Sequence, residues 1–169
     1  MRVRCLREWM PELNLPLFSE SELRVFVTTL CQVCRSFADL RKANWLGGIQ
    51  GLLTHAQRRA VELEAPERLQ VPSGSRIALR YELGRPPILA VRIQEIFGWH
   101  DTPSIAAGRI PVLLHLLAPN HRPQQVTDDL ASFWKNTYPQ IRKELRARYP
   151  KHAWPENPLQ AEAKRRPSR

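Results

Sequence analysis

Proline is the residue that most constrains how this chain can fold. The 169 residues include fifteen prolines but only seven glycines. Because proline interrupts both helix interiors and sheet ladders, we expect short elements joined by stiff connections. No apolar run approaches the ~20 residues that span a bilayer, and the N-terminus lacks the apolar core of a secretory signal. We therefore expect a cytoplasmic protein with no membrane partner.

The two cysteines Cys31 and Cys34 form a Cys-x-x-Cys pair, a spacing found in redox motifs and in half of a zinc site. They also lie on an apolar stripe, residues 23–38, whose steps of three and four are typical of a helix buried on one face. No second paired spacing of cysteine or histidine supplies further ligands. The sequence therefore favours small buried thiols and predicts no metal site.

The first third of the chain is predicted to be mostly helical. Residues 19–43 have the pattern of one helix, which Ser19 or Ser21 can cap, with acidic residues in its first turn. Residues 45–53 contain three glycines and should break and restart the chain. A second, shorter helix is predicted over 54–63.

In the middle of the chain the apolar period changes from helical to two. Residues 76–82 alternate between polar and apolar, 88–93 can return as a second strand, and 112–117 is a third candidate. We expect these strands to form a small antiparallel sheet, with 94–108 as the covering connection. Its water-exposed face would be rich in arginine, namely Arg76, Arg80 and Arg92.

Beyond the sheet, an amphipathic helix is predicted from Thr127 onward. The Thr127 hydroxyl can cap it, and two acidic residues follow in the first turn. Pro139 removes one internal hydrogen bond, so we expect a kink or a restart there. The apolar stripe consists of Leu130, Trp134, Tyr138, Ile141 and Leu145.

Basic residues concentrate in the second part of the chain. Residues 1–67 hold nine Lys or Arg and eight Asp or Glu, whereas 68–169 hold 17 and eight. Such asymmetry points to an anionic partner, most often nucleic acid, although a soluble protein can also carry a basic face for no specific purpose. The basic residues of the C-terminal helix and its end are Lys135, Arg142, Lys143, Arg146, Arg148 and Lys151.

These patterns define an α+β fold with a helical N-terminal third, a small antiparallel β-sheet in the middle and an amphipathic basic C-terminal helix. The corresponding segments are a helical region at 1–66, a second domain at 67–158 and a tail at 159–169. The tail is basic and has no apolar periodicity, so we expect it to be disordered.

Several catalytic motifs are absent from the sequence. None of the seven glycines is followed by lysine, so there is no phosphate-binding loop of the ATPase type. A nucleophile elbow, a His-Glu-x-x-His pair and an aspartate-rich calcium loop are also missing. Asp128 and Asp129 are explained by the start of a helix. We therefore predict no catalytic residue, no cofactor and no small-molecule substrate for this chain alone.

Several distinctive blocks follow one another between 66 and 158. They are Val71-Pro-Ser-Gly-Ser, Leu89–Gly98, Leu116–Leu130, Phe133-Trp134 and Arg148–Pro158. In sequence and in order, these blocks resemble the C-terminal domain of HrpB-type bacterial ATP-dependent helicases. The preceding helical stretch is similar to the more variable segment before that domain, so only the first residues and the tail fall outside the resemblance.

The resemblance implies a DEAH-box-like helicase of superfamily 2, in which two upstream RecA-like lobes use ATP and magnesium to move along RNA. This chain corresponds only to the accessory end, so ATPase and unwinding activity are not expected of it. The partners implied are RNA or another nucleic acid and the helicase core domains.

Two hypotheses follow. In the first, the basic residues named above neutralise phosphates, while Trp99 and Trp154 stack on unpaired bases if they are exposed; for Trp154 we favour burial as a packing lid. In the second, the chain is an interaction domain that docks on the helicase core or another protein, and the basic surface is incidental. The second hypothesis predicts an exposed apolar patch and self-association.

Overall fold

The chain divides between Ala65 and Pro66 in the computed structural model, which describes residues 1–165. The first unit, Met1–Ala65, is entirely helical. No helix in the described residues is long and apolar enough to cross a membrane. The helices of the first unit are α1 (Arg2–Trp9), a 3₁₀ turn (Pro11–Leu13), α2 (Glu20–Val33), α3 (Phe37–Lys42), α4 (Trp45–Gly51) and α5 (His55–Glu64).

Side-chain caps set the starts of α2 and α5, and the cap at Ser19 is one that the sequence predicts. The Ser19 hydroxyl accepts a hydrogen bond from the Glu22 backbone N–H at 3.3 Å, and the Glu22 carboxylate accepts the Ser19 N–H at 2.8 Å. Thr54 and Gln57 form the same reciprocal pair before α5. Each box satisfies two backbone donors that a helix start leaves unpaired.

The single helix predicted over 19–43 is wrong, because the chain forms two helices there. α2 ends at Val33, and Ser36 caps α3 by accepting the Asp39 N–H at 3.1 Å. A serine followed three residues later by an acidic residue offers the backbone a new helix start, which competes with continuation of the old helix.

The break predicted over 45–53 is also wrong, since α4 is helical through its glycines. A Cβ on Gly48 would lie 2.6 Å from the Phe26 ring, so glycine lets α2 and α4 approach closely. Phe26 and Trp45 pack edge to face at 6.2 Å between ring centroids. This contact compensates for the weak helix propensity of glycine.

The predicted burial of Cys31 and Cys34 is not observed. Cys31 is exposed and Cys34 is half-buried, whereas Cys5 in α1 is buried. α2, α3 and α4 contain no buried residue, and Val33 and Phe37 are 79% and 84% exposed. The stripe has the period of a buried face, but within residues 1–165 it is covered only in part, where Phe26 packs against Trp45.

The second unit is built on a five-stranded sheet with the strand order β1-β2-β3-β6-β7. A separate hairpin is formed by β4 and β5. The strands are β1 (Arg68–Gln70), β2 (Arg76–Arg80), β3 (Ile88–Arg92), β4 (Ser104–Ile105), β5 (Ile110–Pro111), β6 (Leu113–Leu117) and β7 (Pro123–Thr127).

The sheet is mixed, which corrects the antiparallel sheet predicted from the sequence. β3 and β6 pair in parallel, with Leu89 opposite Leu114 and Val91 opposite Leu116. Parallel neighbours need a long crossover. Residues 93–112, which contain a 3₁₀ turn and the β4–β5 hairpin, provide it. The α+β class itself is confirmed.

The C-terminal helix begins two residues later than predicted. Its cap is Asp129, which accepts the Ser132 N–H at 2.9 Å, whereas the Thr127 hydroxyl accepts the Asp129 N–H at the end of β7. The predicted irregularity near Pro139 is confirmed as a π-helical stretch. The helix therefore consists of α6 (Leu130–Ser132), the π segment (Phe133–Thr137) and α7 (Tyr138–Arg148).

The core of the second unit lies between one face of the sheet and this helix. The predicted helix stripe is buried except for Ile141, which is half-buried. Because a π turn is wider than an α turn, the adjacent residues Phe133 and Trp134 both point inward. They join Phe97 and Tyr138 in a ring cluster with centroid distances of 4.9–6.2 Å.

The described part of the predicted tail contacts the sheet unit. The Lys164 N–H donates to the Gln94 carbonyl at 3.0 Å, and the Arg165 carbonyl accepts a hydrogen bond from Arg92 at 2.8 Å. These two hydrogen bonds place Lys164 and Arg165 beside Gln94 and Arg92. The remainder of the tail, 166–169, lies outside the described residues.

Candidate nucleic-acid interface

The predicted sheet arginines occupy one face of the sheet, the face opposite the core. Alternation along β2 places Arg76 and Arg80 on the side of exposed Ala78, while Leu79 points into the core. In β3, Ala90 and Arg92 face the same open side. Arg76 and Arg80 are exposed, and Arg80 pairs with Glu82 at 3.3 Å.

Arg92 differs from the other two arginines because it is bound to a buried acid. Its Nε donates to the Glu95 carboxylate at 2.8 Å, and the two side chains are only 20% and 6% exposed. Burial alone would raise the pKa of Glu95, but hydrogen bonds from Ser75, Arg92 and Ser73 outweigh it and hold this pKa below its ordinary value. Glu95 is therefore ionised and neutralises Arg92. Glu95 is not among the site residues predicted from the sequence.

Four of the six predicted basic residues at the C-terminal helix lie in α7 or just after it, exposed and without an ion-pair partner in the described residues. Lys143 and Arg146, three positions apart, share one side of α7, while Arg148 ends the helix. Within residues 1–165, none of these three nor Lys151 forms an ion pair. Glu144, the one acid among them, accepts a hydrogen bond from Gln140 at 3.0 Å.

Arg142 has an intramolecular role instead. Its Nε donates to the Trp154 carbonyl at 2.8 Å, and its Nη2 contacts the Glu156 carboxylate at 3.0 Å. The side chain is only 18% exposed. Arg142 therefore fastens the segment after the helix to α7, and this arrangement does not favour a phosphate contact.

Lys135 lies apart from the other basic residues of the helix. It lines a shallow cavity of about 430 Å³ together with two acidic residues, Asp101 and Glu156. Acidic neighbours reduce the attraction of that site for phosphate. The structure thus separates Lys135 and Arg142 from the exposed set on α7.

The two predicted stacking tryptophans are placed differently. Trp154 is buried, and its Nε1–H donates to the Tyr149 carbonyl at 2.9 Å, so its ring is not available to a base. Trp99 is half-buried, and its carbonyl accepts the indole N–H of Trp134 at 2.8 Å. Trp99 is therefore partly accessible to solvent, whereas Trp154 is buried against its neighbours, as the sequence favoured.

Two titratable groups in and just after α7 have shifted pKa values. Burial, and then the positive charge of Arg92, lower the pKa of His152 below its ordinary value. Burial raises the pKa of Tyr138, whose hydroxyl donates to the Pro155 carbonyl at 3.0 Å. These contacts hold the turn after α7 in place.

No group of three or more His, Cys, Asp or Glu side chains suited to a metal ion occurs in the described part of the chain. The basic residues described above present exposed guanidinium and ammonium groups on helices and strands. Such groups attract anions and steer them.

Comparison with known proteins gives consistent results. The family model described as "ATP-dependent helicase C-terminal", HrpB_C, matches residues 26–158. The chain is 39% identical over 170 residues to the ATP-dependent RNA helicase HrpB of Escherichia coli strain K12, covering 98% of this chain and 21% of that protein. The chain thus spans about a fifth of the length of this relative.

Two solved structures are similar to the fold described above. The crystal structure of the E. coli DExH-box NTPase HrpB matches with a TM-score of 0.88 and 40% identity, over 98% of this chain and 21% of that one. The crystal structure of the E. coli DEAH/RHA helicase HrpB matches with a TM-score of 0.72 and 38% identity, over 90% and 20%.

Proposed function

The chain belongs to the ATP-dependent helicase C-terminal family, and from that premise we propose that it is an accessory domain that binds RNA through the basic end of α7. The observation that carries this proposal is the set of four exposed cations without acidic partners. We name this set the α7 basic cluster: Lys143, Arg146, Arg148 and Lys151.

Phosphate neutralisation explains how such a cluster would work. Lysine and arginine displace counterions from the nucleic-acid backbone, which provides affinity without sequence readout. The choice of RNA rests on the relative, an ATP-dependent RNA helicase. In a full-length helicase of this family, motor domains would hydrolyse ATP, and this domain would keep the strand close to them.

A competing explanation for part of the cluster is helix stabilisation. Arg146 and Arg148 lie in the last turn of α7, where a positive charge interacts favourably with the helix dipole. Lys151 lies beyond the helix and Lys143 lies a full turn earlier, so the dipole accounts for only half of the set.

The test is fluorescence anisotropy of labelled single-stranded and duplex RNA across a salt series. One variant changes all four cluster residues to glutamine and leaves Arg142 intact, because Arg142 holds the segment after α7. The matched control removes the same charge from exposed residues of the first unit: Arg35, Lys42, Arg58 and Arg59.

We expect binding to weaken steeply with salt for the unmodified chain and for the control. In the cluster variant, the slope of log affinity against log salt should fall by roughly 3 for single strands, at ~0.7 for each phosphate that is no longer neutralised. Equal slopes in the two variants would contradict the proposal, and so would absence of binding at low salt.

A second function, docking on a protein surface, is favoured by one specific observation. The first unit exposes Val25, Val33, Phe37, Leu46 and Leu63, each at least 68% accessible. Exposed apolar side chains of this size mark interaction surfaces when they are contiguous. The helicase core domains are the partner that family membership suggests.

A measurement of self-association by the isolated chain tests this second function. We expect the weight-average mass from light scattering to rise with concentration, and the rise to disappear in the double variant Val33→Ser, Phe37→Ser. A strictly monomeric chain at all concentrations would count against docking through this surface. RNA binding should be unchanged in the double variant.

A further inference from the structure

One end of the open sheet face contains a cavity of about 520 Å³. Its volume falls within the range of ~300–1,000 Å³ typical of small-molecule sites, so it has room for more than a single ion. Part of the wall is apolar, from residues such as Ala90 and Leu117. The polar residues around it are Ser75, Arg76, Arg92, Glu95, His121 and Arg165.

The strand register brings two of these arginines together. β2 and β3 are antiparallel, with Leu79 opposite Leu89. Arg76 and Arg92 lie three residues further along their strands, and both line the cavity on the open face. Like charges close together on neighbouring strands repel each other. A compensating negative charge is therefore needed at this end of the sheet.

Glu95 supplies only one such charge. Its carboxylate accepts hydrogen bonds from Arg92 at 2.8 Å and from the Ser73 hydroxyl at 3.0 Å, so it is committed to its own neighbours. The Arg92 and Glu95 charges cancel. Within residues 1–165, neither Arg76 nor Arg165 makes an ion pair with a carboxylate, which leaves two uncompensated guanidinium groups at the cavity.

The remaining polar groups are also donors. His121 lies at the turn between β6 and β7 with a left-handed backbone (φ 65°), and its backbone N–H bonds to the Ala118 carbonyl, which fixes the turn. Guanidinium and imidazole groups together form a donor set that suits an oxygen-rich anion. Arginine in particular recognises phosphate through its planar array of N–H groups.

We propose that this cavity is a phosphate-binding subsite, in which Arg76 is the principal ligand residue. The shared chemistry is a phosphate group, either carried by a nucleic-acid strand or on a free nucleotide or inorganic phosphate. The proposal goes beyond the α7 basic cluster, because a bounded site with fixed donors can saturate with a single small ligand, whereas an exposed charged surface cannot.

The first measurement uses the ¹⁵N-labelled 169-residue chain and inorganic phosphate, titrated at constant ionic strength against chloride. We expect saturable shifts in the amide signals of Ser75, Arg76 and Arg92. Arg76→Gln should weaken the affinity about tenfold, the factor that ~1.4 kcal/mol represents. Arg76 is exposed, so the variant should fold normally.

The matched control is Arg85→Gln, which removes the same charge from an exposed residue in the β2–β3 connection. We expect its phosphate affinity to match that of the unmodified chain. Unmoved amide signals at Ser75 and Arg92, or equal weakening in both variants, would overturn the proposal. Arg92 is not substituted in this test, because it neutralises buried Glu95.

Three further ligands distinguish the sources of the phosphate. Tighter binding of a 5′-phosphorylated RNA tetranucleotide than of its 5′-hydroxyl form would assign the cavity to a strand end. Equal binding of both, weakened by Arg76→Gln, would assign it to an internal phosphate. Saturation by adenosine monophosphate or inorganic phosphate with no effect of either tetranucleotide would assign it to a free phosphate compound.

These outcomes separate this proposal from the proposed function. The phosphate titration involves no RNA and no residue of the α7 basic cluster, so it can succeed when the anisotropy experiment fails. Conversely, a steep salt dependence that is lost only in the cluster variant would support RNA binding, whatever the result at Arg76.

Discussion

Between Met1 and Ala65 seven hydrophobic residues are buried, whereas 21 are buried from Pro66 to residue 165. The exposed large hydrophobic residues show the opposite distribution, since nine of the eleven in the described residues belong to the first unit. The second unit therefore buries most of its large hydrophobic side chains in its own core. The first unit forms capped helices but leaves their apolar sides accessible, as expected of a segment that contacts another protein.

The two units also differ in net charge. The first unit has nine basic and seven acidic residues, and the second has 17 and nine. Apolar exposure and positive charge thus occur in different parts of the chain. We propose that the first unit supplies the protein contact and the second unit the anion contact.

The largest expected contrast comes from the same substitution made in each unit. Phe97→Ala removes a ring that is 1% exposed and packs against Trp134 and Tyr138, so we expect a loss of about 3–5 kcal/mol in the free energy of unfolding. Phe37→Ala, at an exposed site, should change it by less than ~0.5 kcal/mol. Urea unfolding followed by tryptophan fluorescence measures both. Comparable losses would contradict the contrast in packing.

Ion pairs provide the next contrast. Glu95→Gln leaves Arg92 uncompensated in a largely buried site, which should cost about 3 kcal/mol. Glu20→Gln breaks the exposed pair with Arg24 in the first unit and should cost at most ~0.5 kcal/mol.

The pH dependence of the Glu95 effect has a definite sign. Folding lowers the pKa of this carboxyl below its ordinary 4.5, so its stabilisation is present above that value and is lost as the pH falls through the lower pKa of the folded state. The difference between the unmodified chain and Glu95→Gln should therefore narrow in acid. Unfolding curves between neutral and acidic pH measure this difference, and a gap that stays constant would contradict the account.

The first unit contains one close contact between helices, although few of its hydrophobic side chains are buried. Alanine at position 48 would place its Cβ 2.6 Å from the Phe26 ring, so despite the better helix propensity of alanine we expect Gly48→Ala to lose about 1–2 kcal/mol. A Cβ on Gly51 would meet no atom within 4 Å, and Gly51→Ala should gain up to ~1 kcal/mol. Thermal unfolding of both variants decides whether α2 and α4 pack as described.

The smallest expected effect lies in the β4–β5 hairpin of the second unit. Ala106 and Ala107 both have left-handed backbones, with φ of 53° and 54°. Exposed Ala107→Gly should relieve this strain and gain about 0.5–1 kcal/mol. Gly108→Ala, at φ 81°, should lose about 1 kcal/mol and serves as the converse variant. Melting temperatures that move in the same direction in both variants would exclude backbone strain as the cause.

Local sequence signals predicted a large part of this fold. The cap at Ser19, the short helix after Thr54, the apolar stripe of the C-terminal helix and its interruption near Pro139 are all confirmed. Each depends on residues within a few positions of one another, so the pattern in the chain contains the whole interaction. The family resemblance, carried by blocks between 66 and 158, is confirmed for the same reason.

These local signals did not predict which strands pair when the strands lie far apart in the sequence. The parallel pairing of β3 with β6 depends on the path of a long crossover, and strand alternation is identical in parallel and antiparallel neighbours. The predicted burial of the α2 stripe was wrong for a related reason. A helical period shows which side chains share a face of the helix, but it does not show whether another element covers that face.

The candidate sites divide in the same way. The sequence by itself identified the exposed cations of the α7 basic cluster, since charge and helical phase are local properties. Only the tertiary structure assigned Arg142 to Trp154 and Glu156, paired Arg92 with Glu95, and gathered Arg76, His121 and Arg165 around one cavity. These contacts join residues far apart in the chain, and the free energy of burying or pairing a charge is determined by such neighbours.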